Sequence, residues 1–166
     1  MTAPRGELIT PTGAEPLPWS EVDARLRGAE VFWLTTVAPG GGPHTRPVLA
    51  VWVADGLCFT TSPGSAKGRQ LARDPRCSVA VRQGDLDVVL TGRAERVRGG
   101  AELAAVAEAF AGTFGWHVDV RDGAFWAEGA PTAGPPPFHV LRLRPSEVHA
   151  FGTGDEVMAR ATRWRL

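Results

Sequence analysis

Residues 57–81, LCFTTSPGSAKGRQLARDPRCSVAV, gather hydroxyls, a proline-glycine turn and a cation into one short stretch. The cation is unusual for this chain: of 18 basic residues only Lys67 is a lysine, and all the others are arginine. Thr60-Thr61-Ser62 ends an apolar run, Pro63-Gly64 turns, and Ser65-Ala66-Lys67 opens a segment of helix formers. The first turn of a helix leaves backbone N–H donors unpaired and carries partial positive charge. Ser65 adds a rotatable donor and Lys67 a mobile full charge, a set that a phosphate monoester fits. Taken alone, the stretch leaves two readings open: an anion site, or a helix that Ser65 merely caps with Lys67 in solvent.

A second stretch, HTRPVLAVWV, puts Arg46 on a strand that pairs with the one carrying Thr60 and Thr61. Arginine grips phosphate oxygens with two parallel N–H donors. In isolation, Arg46 is equally an exposed arginine at a strand start before Pro47.

The elements that must position these groups can be read from periodicity. Ser20 as N-cap, with Val22 and Leu26 at helical spacing, predicts a helix over 21–27 that Gly28 ends. Branched and aromatic runs predict strands over 31–38, 44–54 and 57–62, an antiparallel meander with an Asp55-Gly56 turn. Ser65 caps a helix that stops at Asp74-Pro75, because the residue before proline resists the α region. RCSVAVRQGDLDVVLTGRAERV gives two more strands joined at Gly84-Asp85. Leu103, Val106, Ala107 and Phe110 follow the i, i+3, i+4, i+7 pattern of an amphipathic helix ending between Gly112 and Gly115. Residues 116–137 read as a long loop in which Trp116, Phe125, Trp126 and Phe138 suggest a planar or apolar ligand. FHVLRLRPSEVHAF has strand character broken at Pro145, and the tail MARATRWRL alternates. The expected fold is mainly β: a six- to seven-stranded antiparallel split β-barrel with two to three short helices. Residues 1–17 read as a loosely held, flexible arm and 18–166 as a single domain.

Composition removes several classes of function. Net charge is zero and the isoelectric point is near 6.9, so no global field draws the chain to nucleic acid or an anionic membrane. No apolar run reaches the roughly 20 residues that span a bilayer. Cys58 and Cys77 lie in apolar runs without a CxxC motif or a secretory apolar segment, which points to buried thiols in a reducing cytoplasm. His44, His117, His139 and His149 show no metal-ligand spacing, so no metal is expected. No nucleophile elbow, Walker loop or dinucleotide fingerprint is present. A chain without tyrosine has no tyrosyl proton donor.

The order of the motifs carries a further reading. R-x-V-L at 46–49, then F-T-T-x-x-G-S-x-K at 59–67, then D-P-R at 74–76 and VVLTGRAERV at 88–97 resembles the pyridoxamine 5'-phosphate oxidase-like superfamily of FMN-binding split barrels. That superfamily includes a deazaflavin-using oxidoreductase branch, and the resemblance covers Val31 to Val97. It implies Arg46 and Lys67 as phosphate-binding cations and Ser65 as the phosphate-binding hydroxyl. Thr60 and Thr61 match the strand pair beside the phosphate and ribityl chain. Val48 matches a position whose backbone faces the flavin ring, and Gln70 another polar helix position. It also implies a homodimer with the cofactor site at the subunit interface. Trp164, with Arg163 or Arg165, then either reaches the cofactor across the dimer or packs within the tail strand.

Two departures separate the chain from true pyridoxamine phosphate oxidases. Asp87 stands where those carry a flavin-contacting glutamine, and MARATRWRL lacks their Arg-x-His substrate pair. The resemblance thus implies a cytoplasmic FMN-dependent oxidoreductase acting on a small organic molecule other than the B6 vitamers. Two alternatives stand beside it: a coenzyme F420-dependent reductase, with Arg69 and Arg73 lining the path of a polyanionic tail, and a non-catalytic cofactor-binding module.

Overall fold

Alternation of branched and polar residues makes strands, and the register among six of them closes a ring. The computed structural model describes residues 4–128, 134–155 and 157–166. Its strands are β1 (Glu7–Leu8), β2 (Val31–Val37), β3 (Pro43–Val53), β4 (Gly56–Thr61), β5 (Arg76–Gln83), β6 (Leu86–Arg96), β7 (Asp119–Arg121), β8 (Ala124–Trp126), β9 (His139–Gly152) and β10 (Thr162–Arg165). The helices are α1 (Trp19–Gly28), α2 (Ala66–Arg73) and α3 (Gly100–Phe114), with a 3-10 turn at Met158–Arg160. The main sheet runs β1-β10-β9-β4-β3-β2-β5-β6, and β6 also pairs with β9. Six antiparallel strands thereby form a closed barrel, which β10 and β1 extend outside the ring.

The barrel interior holds Phe32, Leu34, Ala50, Leu57, Phe59, Val79, Val88, Leu90, Val148 and Ala150, all buried. β4 is buried on both faces, because its outer residues meet a second apolar cluster. There α3 presses Leu103, Val106 and Phe110 onto Val51, Cys58, Phe125, Phe138 and Val140. Burying each such side chain contributes about 1.5–3 kcal/mol. α1 is held against β3 by the Trp52 indole N–H, which donates to Asp23 at 2.9 Å.

Several sequence expectations are corrected. α1 begins at Trp19 with Pro18 in the N-cap position, and Ser20 lies inside the helix without capping it. The β3–β4 turn falls on Ala54 and Asp55, with φ of 49° and 59°. Gly56 belongs to β4 instead, where a Cβ would lie 2.7 Å from Arg142 Cγ. β9 does not break at Pro145: it pairs with Gly92, and the register with β6 shifts between Thr91 and Gly92, leaving Ser146 as a bulge beside the residue that cannot donate to the ladder. The stretch 116–137 contains the β7–β8 hairpin, and Phe125 and Phe138 exchange backbone bonds of 2.9 and 2.8 Å. Residues 7–17, without periodicity in sequence, run along the C-terminal strand. Glu7 and Leu8 pair with β10, and Leu17 is buried with its N–H donating to Thr162 Oγ1 at 2.9 Å.

Cys58 and Cys77 are free and buried, and burial pushes the Cys77 thiol up to about 12. Among the described residues no helix is long and apolar enough to cross a membrane.

Barrel closure rests on the tight passage of β6 across β9 at Gly92, where a Cβ would collide with the Arg144 carbonyl oxygen. Gly92→Ala should cost about 1–3 kcal/mol, as overpacking in a filled site does. Gly100→Ala, at the start of α3 with open space around it, should hold or raise stability. Thermal denaturation of the two variants checks the contrast.

Candidate functional site

Antiparallel order brings the C-terminal ends of β2, β4 and β6 and the N-terminal ends of β3, β5 and β9 to the same end of the barrel. α2 covers that end. Its Leu71 enters the barrel core, and its buried Gln70 accepts a 2.6 Å hydrogen bond from Thr36 Oγ1. At the C-terminal turn of α2, Arg73 donates to the carbonyls of Val37 and Ala38 at 3.0 and 2.7 Å. The helix therefore spans from the β4 exit to the β2–β3 turn.

The N-terminal turn of α2 is built as the sequence suggests. Ser65 is the N-cap, and its Oγ accepts from the Gly68 N–H at 3.0 Å. The same oxygen lies 2.7 Å from Thr61 Oγ1, and Thr61 is buried. Glycine at 68 is otherwise costly within a helix, by about 1 kcal/mol. It is needed because a Cβ there would lie 2.5 Å from the Ser62 carbonyl oxygen. The first turn is thus pressed directly onto the strand exit.

Lys67 stands beside this turn, half-buried. Among the described residues it makes no ion pair or hydrogen bond, and burial alone pushes its ammonium below the ordinary lysine value. A desolvated cation without a partner is unfavourable, and an anion at the N-terminus of α2 would relieve it. Arg46 lies on β3 opposite Leu34, on the inward-facing alternation with Val48 and Ala50, but at the exposed strand end. Its Nη1 donates to the Thr45 carbonyl at 2.8 Å, and among the described residues it has no ion pair.

The other residues divide. Val48 is buried in the barrel core, and Gln70 is committed to Thr36. Thr60 points to the opposite face from Thr61, in register with Val140 of the α3 cluster. Trp164 and Arg163 are not brought to this end. β10 pairs with residues 147–150 of β9, eight or more positions from His139, or about 26 Å along the strand. Trp164 is fully buried in the chain's own core, edge-on to Trp19 at 5.7 Å, and Arg163 pairs with Glu7 at 3.1 Å. Arg69 bonds the Gly64 carbonyl, so Arg69 and Arg73 both serve backbone oxygens. Phe125 and Phe138 are buried in the α3 core; Trp116 packs against them, and Trp126 lies under the Arg121 guanidinium. Asp87 is held by Arg82 in a two-point pair at 2.7 Å, which keeps its carboxyl below the usual range.

Sequence reasoning missed Thr36 and His139. His139 pairs in register with Thr61 at the barrel end. Burial first, then the charges of Arg96 and Arg98, hold its imidazole below the ordinary histidine value. Neither sits in the motifs that carry the site; only the strand register brings them beside α2. Among the described residues no cluster of three or more His, Cys, Asp or Glu side chains is arranged to hold a metal.

Residues 19–152 match the pyridoxamine 5'-phosphate oxidase family. The pyridoxine/pyridoxamine 5'-phosphate oxidase of Thermobifida fusca is 28% identical over 193 aligned positions, covering 97% of this chain and 86% of that protein. The enzyme of the same name from a Nocardioides species is 43% identical over 58 residues, which span 34% of this chain and 27% of that protein. The match therefore covers only about a quarter of that relative's length. Among solved structures, a FAD-binding protein from Mesorhizobium loti aligns with a TM-score of 0.60 at 18% identity, over 90% of this chain and 95% of that one. A protein described as an F420 reductase aligns at 0.53 and 19%, over 76% and 94%. A haem-binding protein from Mycobacterium smegmatis aligns at 0.62 and 25%, over 82% and 58%. At 18% and 19% identity, the first two show the shared fold.

Ser65→Ala removes the cap and should cost about 1 kcal/mol. Lys67→Ala should leave the melting temperature unchanged or raised, because it deletes a desolvated charge. A loss at Lys67 as large as that at Ser65 would make the lysine structural. Since Lys67 is the sole lysine, 13C-ε-lysine labelling gives one side-chain signal. Burial favours the neutral amine and a bound anion favours the ammonium, so the titration midpoint should lie below that of free lysine and rise on adding inorganic phosphate.

Proposed function

Because the chain belongs to the pyridoxamine 5'-phosphate oxidase family, we propose that it binds FMN by the phosphate at the N-terminus of α2 and acts as an oxidoreductase on a small organic substrate. The observation that carries this reading is the half-buried Lys67, without a partner among the described residues and set beside the Ser65 cap. Lys67 and Arg46 are the cations of the clamp, Ser65 with the backbone N–H groups of the first turn the neutral donors, and Thr61 fixes the Ser65 hydroxyl. When bound, the flavin supplies hydride transfer, so the chain needs no acid-base pair of its own. Its residues hold the phosphate, orient the ring and exclude water.

FMN is favoured over F420 by the arginines on α2. Arg69 and Arg73 are engaged with backbone carbonyls, which leaves a polyanionic tail without their charges along the helix. Oxidation of B6 vitamers is disfavoured, since Asp87 is spent on Arg82 and MARATRWRL lacks the substrate pair. The free thiols of Cys58 and Cys77 suit a cytoplasmic setting.

A homodimer belongs to the same proposal. On the outer barrel face Pro47, Trp33, Ala80, Val89 and His149 stand in one register row across five strands. Val31, Trp33 and Leu49 are 49%, 51% and 52% exposed, an apolar band that a second copy would bury.

A charge-assisted hydrogen bond to phosphate contributes about 1.5–3 kcal/mol, so Lys67→Ala and Arg46→Ala should each weaken FMN binding by about one to two decades. Arg98→Ala, before α3, should bind as the parent does. Flavin fluorescence titration of stripped protein reads this out. Clamp variants that bind FMN as tightly as the parent overturn the site, and a parent that binds neither FMN nor F420 leaves an empty module. Trp33→Arg should shift sedimentation from dimer to monomer, and a monomeric parent at micromolar concentration overturns the dimer.

A further inference from the structure

A groove of about 630 Å³, without Lys67 in its lining, opens on the outer barrel face between the β2–β3 turn and the strands β5 and β6. Its lining includes Arg76, Arg93, Ser78, Thr91 and Thr35, and Val37 and Pro43 supply apolar wall. From this lining we infer that the groove is a second anion site, which takes a small organic molecule bearing a carboxylate or phosphate group. The inference does not depend on the flavin reading.

Register supplies the charge. Arg76 stands opposite Arg93, and Arg93 opposite Arg144, so three guanidinium groups form one row across β5, β6 and β9. Like charges directly opposite one another destabilise a sheet unless something lies between them. Arg76 is held by Asp74, through Nε at 3.0 Å and Nη2 at 2.6 Å. Arg93 and Arg144 have no ion pair or hydrogen bond among the described residues, and Arg144 also faces Glu102, which Arg142 engages. Hydrogen bonds from Arg76, followed by the charges of Arg76 and Arg93, hold the Asp74 carboxyl down to about 2, so Arg93 faces the Asp74–Arg76 pair. Three other carboxylates lie on this face, one of them Asp87, which Arg82 holds. Glu95 is two residues along from Arg93, and Glu147, opposite Thr91, lies 3.7 Å from the His149 imidazole. None of the three is part of the groove lining.

The neutral donors agree with an anionic ligand. Ser78 and Thr91 face each other across β5 and β6, and among the described residues neither hydroxyl has a side-chain hydrogen bond. They stand one register row from the arginines and can donate to an oxyanion that Arg93 neutralises. The volume lies within the range of about 300–1,000 Å³ that holds a small organic ligand, so the groove has room for a body as well as a charged group.

The test titrates inorganic phosphate, phenyl phosphate and benzoate into 15N-labelled protein and follows backbone amide shifts. Saturable shifts are expected at Ser78, Thr91 and Arg93, with phenyl phosphate at least fivefold tighter than inorganic phosphate. Comparison of phenyl phosphate with benzoate tells whether phosphate or carboxylate is preferred. Arg93→Ala should weaken binding at least tenfold with an unchanged melting temperature, Arg93→Lys should restore part of it, and Lys67→Ala should leave it unaltered. Absent shifts, shifts that persist in Arg93→Ala, shifts centred on Gly68 in place of Ser78, or phenyl phosphate no tighter than inorganic phosphate would each overturn the inference.

Discussion

Pairing of β6 with β9 along Leu86–Arg96 converts an open sheet into a barrel, and the rest of the molecule depends on that ladder. It joins the two ends of the order β9-β4-β3-β2-β5-β6, and without it the sheet would stay open with β6 as a bare edge. A bulge at Thr91/Gly92 lets the ladder pass Pro145 with no strand break. Closure has two consequences. It gives the chain an interior for Phe32, Phe59, Val88 and Leu90, and it fixes which strand ends meet beneath α2.

The α2 end concentrates unfavourable terms that the remainder of the fold offsets. Lys67 is half-buried without a counter-charge among the described residues, and Gly68 sits in a helix where alanine would be better by propensity. Both follow from pressing the first helical turn onto the β4 exit. Such local costs belong where a ligand completes the structure, and a stability-optimised surface would have removed them. The Ser65–Thr61 contact and the Gln70–Thr36 bond hold the turn in place from two sides.

The outer face divides by register row. One row is apolar, from Pro47 through Trp33 to Val89, and another carries Arg76, Arg93 and Arg144. Between them runs a row of hydroxyls, Thr35, Ser78 and Thr91. Farther round, α3 covers β3, β4 and β9 and buries Arg142 against Glu102. One barrel wall thus offers an apolar surface, a groove with arginines and hydroxyls in its lining, and a sealed second core, because side chains alternate and strands stay in step.

Sequence alone determined what local chemistry controls. The Ser65 cap, the helix stop at Asp74-Pro75, the strands of the meander and the α3 periodicity all depend on neighbours within a few residues, and all were legible. Lys67 stood out because it is the sole lysine. Tertiary structure decided everything that depends on which strands lie side by side. It put Trp164 in the core about 26 Å from the α2 end, turned Thr60 away from Thr61, and folded Phe125 and Phe138 under α3. It also joined Thr36 to Gln70 and lined up three arginines separated by as many as 68 positions along the chain. Periodicity says which face of a strand a residue occupies; only the register of the closed barrel says what that face meets.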